Sequence, residues 1–475
     1  MSVSVRWIAL TPLLVQAALQ AQPNQNKVIF TLPQAVNSRP QFSIATKDVD
    51  PIRAGADFSA VAGNNASFDR ISDGLLRPFN IGIATQLSAL PIASPASGVI
   101  FKEDPATGAS LPDTQSLGPI LTERAETIGR GRLFAGFTRQ QFRFNNLEGQ
   151  SLKSIRALDR GGVATRVYQD GVRQTTSPTT IDTEIDVRLD QNIAVFTYGL
   201  TNRIDVTGAL TWVHSSASVT ASNAQIYNTG NPFEKGTCWC AQTFDIEASR
   251  ASFAQDYGRS GFRINGAFGS ARRSANGLGD TLIRVKGTVM EGRTSALALG
   301  ADLRLPTGDE LNYHGSGAVG FKPFAAYSLH ARDLGPVRVS PHFNVGFQFN
   351  GKSVLAGDPV TGAKEKLPNM FNWSAGAGIS AGSRVTFLAD ILGMTLVNSF
   401  RLTEERLDAR GEGIAAASGV TLAPNKQTFA MHNGAFGVKL KLAGNMVFST
   451  NFMVALDNNG LRDRVVPLFG IGYTF

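Results

Sequence analysis

Apolar and polar residues alternate with a period of two through Ile181–Asp190: Ile181, Thr183, Ile185, Val187 and Leu189 share one face, and Asp182, Glu184, Asp186, Arg188 and Asp190 the other. That period belongs to a half-buried strand, because successive side chains of an extended chain point to opposite sides. A strand in the middle of a parallel sheet would instead be apolar throughout. The strand extends to about residue 197 and turns back at Gly199-Leu-Thr-Asn-Arg203, after which Ile204, Val206, Leu210 and Trp212 form the next apolar face. The same alternation recurs around Ile283–Val289, Leu297–Leu305, 321–331, Val337–Phe349, Phe371–Ile379, Val385–Ile391, Phe436–Leu442 and Met446–Val454. It opens with Arg132–Phe144 and closes with Val466–Phe475, where Phe469, Ile471, Tyr473 and Phe475 oppose Leu468, Gly470, Gly472 and Thr474.

The connections discriminate between architectures better than the strands do. Counting back from the carboxy terminus, short turns near residues 443, 382, 334, 292 and 201 alternate with longer loops near 458–464, 397–427, 351–369, 306–317, 220–279 and 145–180. Short periplasmic turns alternating with long external loops is the asymmetry of outer-membrane barrels, and a soluble β-sandwich does not require it. The expected fold is all-β: a transmembrane antiparallel up-and-down β-barrel of about 12 strands, each near the length that crosses a bilayer at a tilt. Residues 132–475 form this barrel in the outer membrane of a Gram-negative-type bacterium. Residues 22–131 are polar and rich in Ala, Gly and Pro, and form an irregular amino-terminal segment that is either periplasmic or plug-like.

The amino terminus fits export. Arg6 precedes the short apolar run Trp7–Val15, and the small residues Ala17–Ala21 offer a cleavage site, so residues 1–21 read as a signal peptide rather than a spanning helix. No later apolar run is long enough for a transmembrane helix, which needs about 18 residues or more. The 45 Lys and Arg against 37 Asp and Glu make the chain basic, with a net charge of +8. These charges are spread out with no polybasic run, so nucleic acid is not an expected partner; outer-membrane lipid and lipopolysaccharide headgroups are. Cys238 and Cys240 are the only cysteines. A Cys-x-Cys pair is too few ligands for a structural zinc site, and a strained disulfide and two free thiols stand as open alternatives.

Two catalytic motifs match by spacing alone. Gly315-Ser-Gly-Ala-Val-Gly320 has the G-x-G-x-x-G form, but a dinucleotide site needs a preceding strand and a following helix, and neither is expected here. Gly378-Ile-Ser-Ala-Gly382 resembles a nucleophile elbow, with Asp390 and His432 following in triad order. An elbow sits on a strand-to-helix turn, whereas Ser380 falls where a barrel strand meets a periplasmic hairpin. His214, His314, His330, His342 and His432 show no metal-ligand spacing. The expectation is therefore no enzyme, no cofactor and no metal. What remains is the lumen. Asp182, Glu184, Asp186, Arg188, Asp190, Asp205, Arg284, Lys286, Asp302, Arg304, Arg338, His342, Asp390, Lys439 and Lys441 are expected to face inward. There they either brace a narrow barrel with paired charges or line a conduit whose field biases which solutes pass.

Several stretches carry a family resemblance. Leu117-Gly-Pro-Ile-Leu-Thr-Glu-Arg-Ala-Glu-Thr-Ile-Gly-Arg-Gly-Arg-Leu133, Gly277-Leu-Gly-Asp-Thr-Leu-Ile-Arg-Val-Lys286, and Leu303-Arg-Leu-Pro-Thr-Gly-Asp-Glu310 followed by Gly315-Ser-Gly317 resemble the MetA-pathway of phenol degradation family. The resemblance implies an outer-membrane barrel linked to the uptake of aromatic or other hydrophobic compounds, and it brings no catalytic or binding residues. The expected function is passive uptake of small, hydrophobic or aromatic solutes through an outer-membrane channel. The alternative is a surface-binding or structural barrel that acts through its external loops. The aromatic carboxy-terminal strand makes the barrel-assembly machinery an expected partner.

Overall fold

The computed structural model describes residues 26–37, 42–44, 65–89, 100–103, 110–113, 121–159, 163–168, 171–176, 179–226, 244–246, 252–254, 262–265, 267–359, 361–409 and 417–475. The signal-peptide region 1–21 and the Cys238–Cys240 pair lie outside the described residues. Twelve antiparallel staves close on themselves. They are β1 (Leu133–Phe144), β2 (Thr179–Gly199), β3 (Ile204–Ile226), β4 (Ala267–Leu278, continued by Thr281–Glu291), β5 (Ser295–Leu305) and β6 (Gly320–Leu329). The rest are β7 (Val337–Asn350), β8 (Asn369–Ala381), β9 (Val385–Ala409), β10 (Ala417–Lys441), β11 (Met446–Ala455) and β12 (Val465–Thr474). Consecutive staves are hydrogen-bonded neighbours, and β12 closes the seam against β1, pairing Leu468 with Gln140 and Thr474 with Phe134. Phe475 adds one more bond, its N–H donating to the Leu133 carbonyl at 2.8 Å.

Closure leaves no open sheet edge, which is the condition for strands to cross a lipid phase. The outward face is an apolar belt: Phe137, Phe196, Tyr198, Leu210, Trp212, Val285, Leu299, Phe343, Phe387, Phe436, Phe469 and Ile471 are all exposed. Exposed aromatic and aliphatic side chains in this number fit lipid as the surrounding phase. The five short turns fall as the sequence pattern requires, with Gly335, Gly382 and Gly444 at positive φ in three of them.

The interior is occupied. The amino-terminal segment supplies two helices, α1 (Thr31–Asn37) and α2 (Asn65–Ser88). From Leu75 to Leu87 almost every α2 residue is buried, including Leu76, Phe79, Ile83 and Leu87. Burial on most sides marks an embedded helix, and its polar Arg77, Asn80 and Gln86 bond to the surrounding loops. Its partners are the inward side chains of the external half of the wall and loops that fold in over it: Ile185, Val187, Leu189, Val219, Leu355 and Leu461 share one core with Val28, Phe30, Leu75 and Phe79. Gly82 lets α2 approach closely, since a Cβ there would lie 2.6 Å from that of Leu461.

This packing inverts one expectation. Asp182, Glu184, Asp186, Arg188 and Asp190 do not face the lumen. On β2 the odd-numbered residues point inward, from Thr183 through Val187 and Gln191 to Thr197, each at most 3% exposed. The even-numbered residues point outward, where Asp186 and Arg188 pair at 2.7 Å with half of each side chain in solvent. The strand is long enough to leave the membrane. Its lower outward residues, Phe196 and Tyr198, meet lipid, and its upper outward residues meet water. The inward apolar residues there meet the plug, so the same alternation carries the opposite orientation. The external loops also differ from expectation. Strand β3 runs to Ile226 and β4 begins at Ala267, shortening the 220–279 loop, and β9 and β10 extend the 397–427 region as a hairpin to Ala409 and Ala417.

Candidate functional site

Eight of the fifteen candidate lumen residues are buried inside the barrel: Asp205, Arg284, Lys286, Asp302, Arg304, His342, Asp390 and Lys439. Arg338 and Lys441 share their inward register beside the short turns, where Arg338 pairs with Asp333 at 2.6 Å. The buried charges grip the amino-terminal segment more than they line a conduit. Arg284 holds Asp302 with two parallel bonds of 2.6 and 2.9 Å and also pairs with Glu123. Lys286 donates to Glu123 Oε2 at 3.2 Å and to the Arg124 and Glu126 carbonyls at 3.0 and 2.9 Å, using all three of its protons.

Glu123 and its neighbours, the partners of these buried charges, escape the period-two reading because the segment that carries them is not a strand. Leu121–Ile128 is stitched to the wall as if it were one. The Asn344 amide bonds both ways with the Glu123 backbone, at 2.6 and 2.8 Å. The Ala125 N–H donates to Ser328 Oγ at 2.9 Å, and Thr288 Oγ1 donates to the Ala125 carbonyl at 2.6 Å. The Ile128 N–H donates to Asp205 at 3.1 Å. These bonds satisfy backbone groups that have no sheet of their own in the lumen. The density of charge in Thr122–Ile128, just before the first strand, was the available signal.

The stretches that carry the family resemblance form a second anchor, at the external end. The sequence Gly279-Asp280 interrupts β4, and the Asp280 carboxylate turns into the loop after β5. It accepts from the Ser316 N–H at 2.8 Å, from Ser316 Oγ at 2.7 Å and from the Gly308 N–H at 3.2 Å. Arg304 flanks it at 3.6 Å and donates to the last α2 carbonyl, Ser88 O, at 3.1 Å. A cation at a helix C-terminus meets the negative end of the helix dipole. The loop then holds the plug. Lys27 pairs with Asp309 at 2.6 Å, the Val28 N–H donates to Asn312 at 3.1 Å, and Tyr313 donates to Asn80 at 2.7 Å. Burial alone would raise the Asp309 carboxyl; the Lys27 bond and the Leu311 N–H outweigh it and hold the group below its ordinary range. Gly317 sits at φ +68°, and a Cβ there would run into Glu310, so the glycines of Gly315–Gly320 serve loop closure.

The triad-like residues do not assemble. Ser380 is buried and bonded to Thr386 Oγ1 at 3.0 Å. Asp390 faces the lumen, bonded to His342 Nε2 at 2.6 Å. His432 lies on the other side of the wall, bonded to Asp457 at 2.8 Å. Among the described residues no group of three His, Cys, Asp or Glu side chains is placed to hold a metal ion.

A chamber of about 160 Å³ lies between the end of α2, the Glu123–Arg284 pair and the β7–β11 wall. Its lining mixes apolar Phe142, Phe324 and Met394 with the amides of Asn344, Asn372 and Asn433. Lys322, bonded to Asp302 at 3.0 Å, is the cation at its edge.

No curated protein matches the chain in sequence. Several solved barrels are similar in shape. An outer-membrane channel from Pseudomonas putida F1 aligns at 10% identity over 74% of this chain and 98% of that one, with a TM-score of 0.39. The NanC porin aligns at 8% identity over 72% and 98%, with a TM-score of 0.32. CymD, a monoaromatic hydrocarbon channel, aligns at 9% identity over 73% and 88%, with a TM-score of 0.26. Likeness at this level concerns the barrel alone. The family model matches residues 170–357, the span that contains the Asp280 anchor and its loop, and the family this chain resembles is the MetA-pathway of phenol degradation.

Proposed function

We propose that this barrel is a passive outer-membrane channel for small, hydrophobic or aromatic solutes, driven by the concentration gradient. The observation that carries the reading is the chamber inside a closed wall: about 160 Å³ of space, bounded by a plug rather than filled by it. A cavity of about 150 Å³ lined by apolar side chains accommodates a benzene-sized ligand. The phenyl rings and thioethers of Phe142, Phe324, Met394 and Met453 offer such a ligand apolar contact, and the neighbouring amides offer hydrogen bonds. The pathway association of the family points to the same chemical class.

The rest of the reading concerns setting. Residues 1–21 direct export and are removed. Strand β12, with its outward Phe469, Ile471 and Phe475, engages the barrel-assembly machinery. The outward Arg139, Arg143 and Arg188, above the apolar belt, face lipopolysaccharide. Planar bilayers and solute-uptake assays test the function: purified protein opens a path for small aromatic solutes, and a deletion strain takes them up more slowly. Protein that never conducts, together with unchanged uptake in the deletion strain, overturns the proposal. Removing residues 227–261 leaves permeation intact; if that deletion instead abolishes a surface-binding activity in a barrel that passes nothing, the loops are the functional part.

A further inference from the structure

The closing seam is lined differently from the rest of the lumen. On the inner face of β11, β12 and β1, successive register partners are Asn451–Leu468–Gln140, then Ser449–Gly470–Thr138, then Val447–Gly472–Gly136. The lower two rows frame a small cavity of about 20 Å³, bounded below by Phe134. The row above them separates that cavity from the main chamber, whose lining includes Met453 and Phe142, two residues further along β11 and β1. Leu121–Ile128 bonds to β3, β4, β6 and β7, and its last residue, Ile128, packs against Phe134 at the foot of the seam.

The separating row is polar and unsatisfied. Asn451 is 1% exposed, and neither its amide oxygen nor its amide nitrogen has a partner. Gln140 is fully buried and gives its amide nitrogen to Gln191 at 2.5 Å, leaving its own oxygen and the Gln191 nitrogen unpartnered. Buried amides without partners are costly, and three neighbouring side chains presenting such groups form a surface made for transient hydrogen bonds. Glycines remove the side chains below them. Phe134 lays its ring over two of these, 2.8 Å from where a Gly136 Cβ would stand and 2.7 Å from that of Gly472.

Resting on the channel reading, we propose that solute leaves the chamber along this seam, crossing a constriction of Asn451, Leu468 and Gln140 and exiting over Gly470 past Phe134. The class that fits is a small neutral solute with an apolar body and a hydrogen-bonding group. Leu468 contacts the body, and the amides exchange hydrogen bonds with the polar group. An ion at the constriction would lose its hydration with no opposite charge in the row.

Proteoliposomes with the full chain test this. Swelling is measured in neutral aromatic alcohols and in ammonium and carboxylate analogues of similar size. Wild-type protein passes the neutral solutes fastest. Gly470→Leu and Asn451→Leu slow them by about tenfold or more, and Phe134→Ala speeds them severalfold, because permeation scales with the narrowest section of a pore. Heat-modifiable gel migration checks that each barrel is folded. Gly470→Cys in a Cys238→Ser, Cys240→Ser background is a milder variant, needing only Ser449 Oγ (2.6 Å from the ideal Cβ) to turn aside, and a thiol reagent added to it blocks passage. Wild-type vesicles that pass no solute overturn the channel reading and the path with it. Permeable wild-type vesicles whose folded variants all stay within about twofold of it, modified Gly470→Cys included, overturn the path alone.

Discussion

Replacing Asp280 by alanine separates the wall from the loop that holds the plug. The carboxylate takes three donors, the Ser316 N–H at 2.8 Å, Ser316 Oγ at 2.7 Å and the Gly308 N–H at 3.2 Å, and it sits 3.6 Å from Arg304. In Asp280→Ala the Ser316 hydroxyl can turn to Ala318 O, already 3.2 Å away, so two backbone donors lose their acceptor and the guanidinium loses its counter-charge. Leaving a buried donor unmade costs about 1–3 kcal/mol, and the lower half of that range applies where water can follow an external loop, giving roughly 3–6 kcal/mol for three groups. That loss falls on local opening, because the staves keep their ladders. At ~1.4 kcal/mol per tenfold, amide exchange in residues 306–319 should quicken by about a hundredfold to ten-thousandfold, with a smaller rise in residues 27–32. Asp280→Asn keeps one accepting oxygen and should fall between the two. Hydrogen exchange followed by mass spectrometry of the folded protein measures this directly. Equal protection of residues 306–319 in wild type and Asp280→Ala would refute the view that this carboxylate closes the loop.

Glu123→Gln removes the carboxylate shared by Arg284 and Lys286. Breaking a buried pair costs about 3–5 kcal/mol, so the Leu121–Ile128 segment should become protease-sensitive in a barrel whose gel migration is unchanged. Gly317→Ala places a methyl group against Glu310 at a positive φ, and should lower the thermal midpoint of the external loops by an effect of about 1–2 kcal/mol, read by calorimetry. Acid should loosen the mouth of the plug. Asp309 and Asp457 both titrate below their ordinary range, through Lys27 and Arg462 respectively. Their contribution is fully present above the unfolded carboxylate pKa and is lost as pH falls through the lower folded values, so exchange in residues 26–32 and 456–464 should rise only in that acid window. On β2, an impermeant maleimide added to cells should label Asp186→Cys and spare Val187→Cys; the reverse would restore the inward reading of the acidic face.

The barrel was legible because its strands must satisfy two solvents with one period. Ile204, Val206, Leu210 and Trp212 face lipid as the alternation requires, and the opposite residues Asp205 and Thr207 are buried inside. The strand ends at the periplasmic side were legible too, since a short turn leaves little freedom. At the external side the same period misled. Above the membrane a stave meets water outside and a packed plug inside, so the apolar face of Ile185, Val187 and Leu189 belongs to the interior while Asp186 and Arg188 face out. Periodicity reports that two faces differ, and only the surroundings say which of them is wet.

The lumen charges show the same limit in another form. Arg284, Lys286 and Asp302 were recognisable as inward from their strands, but their role depends on Glu123 and the carbonyls of Arg124 and Glu126, about 160 residues earlier in the chain. A local pattern cannot register a partner at that distance. The consequence reaches the channel itself. Charges consumed in holding Leu121–Ile128 against β3–β7 are not free to select solutes, and along the seam glycines and unpaired amides stand in their place. Selection would then rest on neutral groups contributed by the first and last staves of the chain, with the charged residues keeping the plug out of the way.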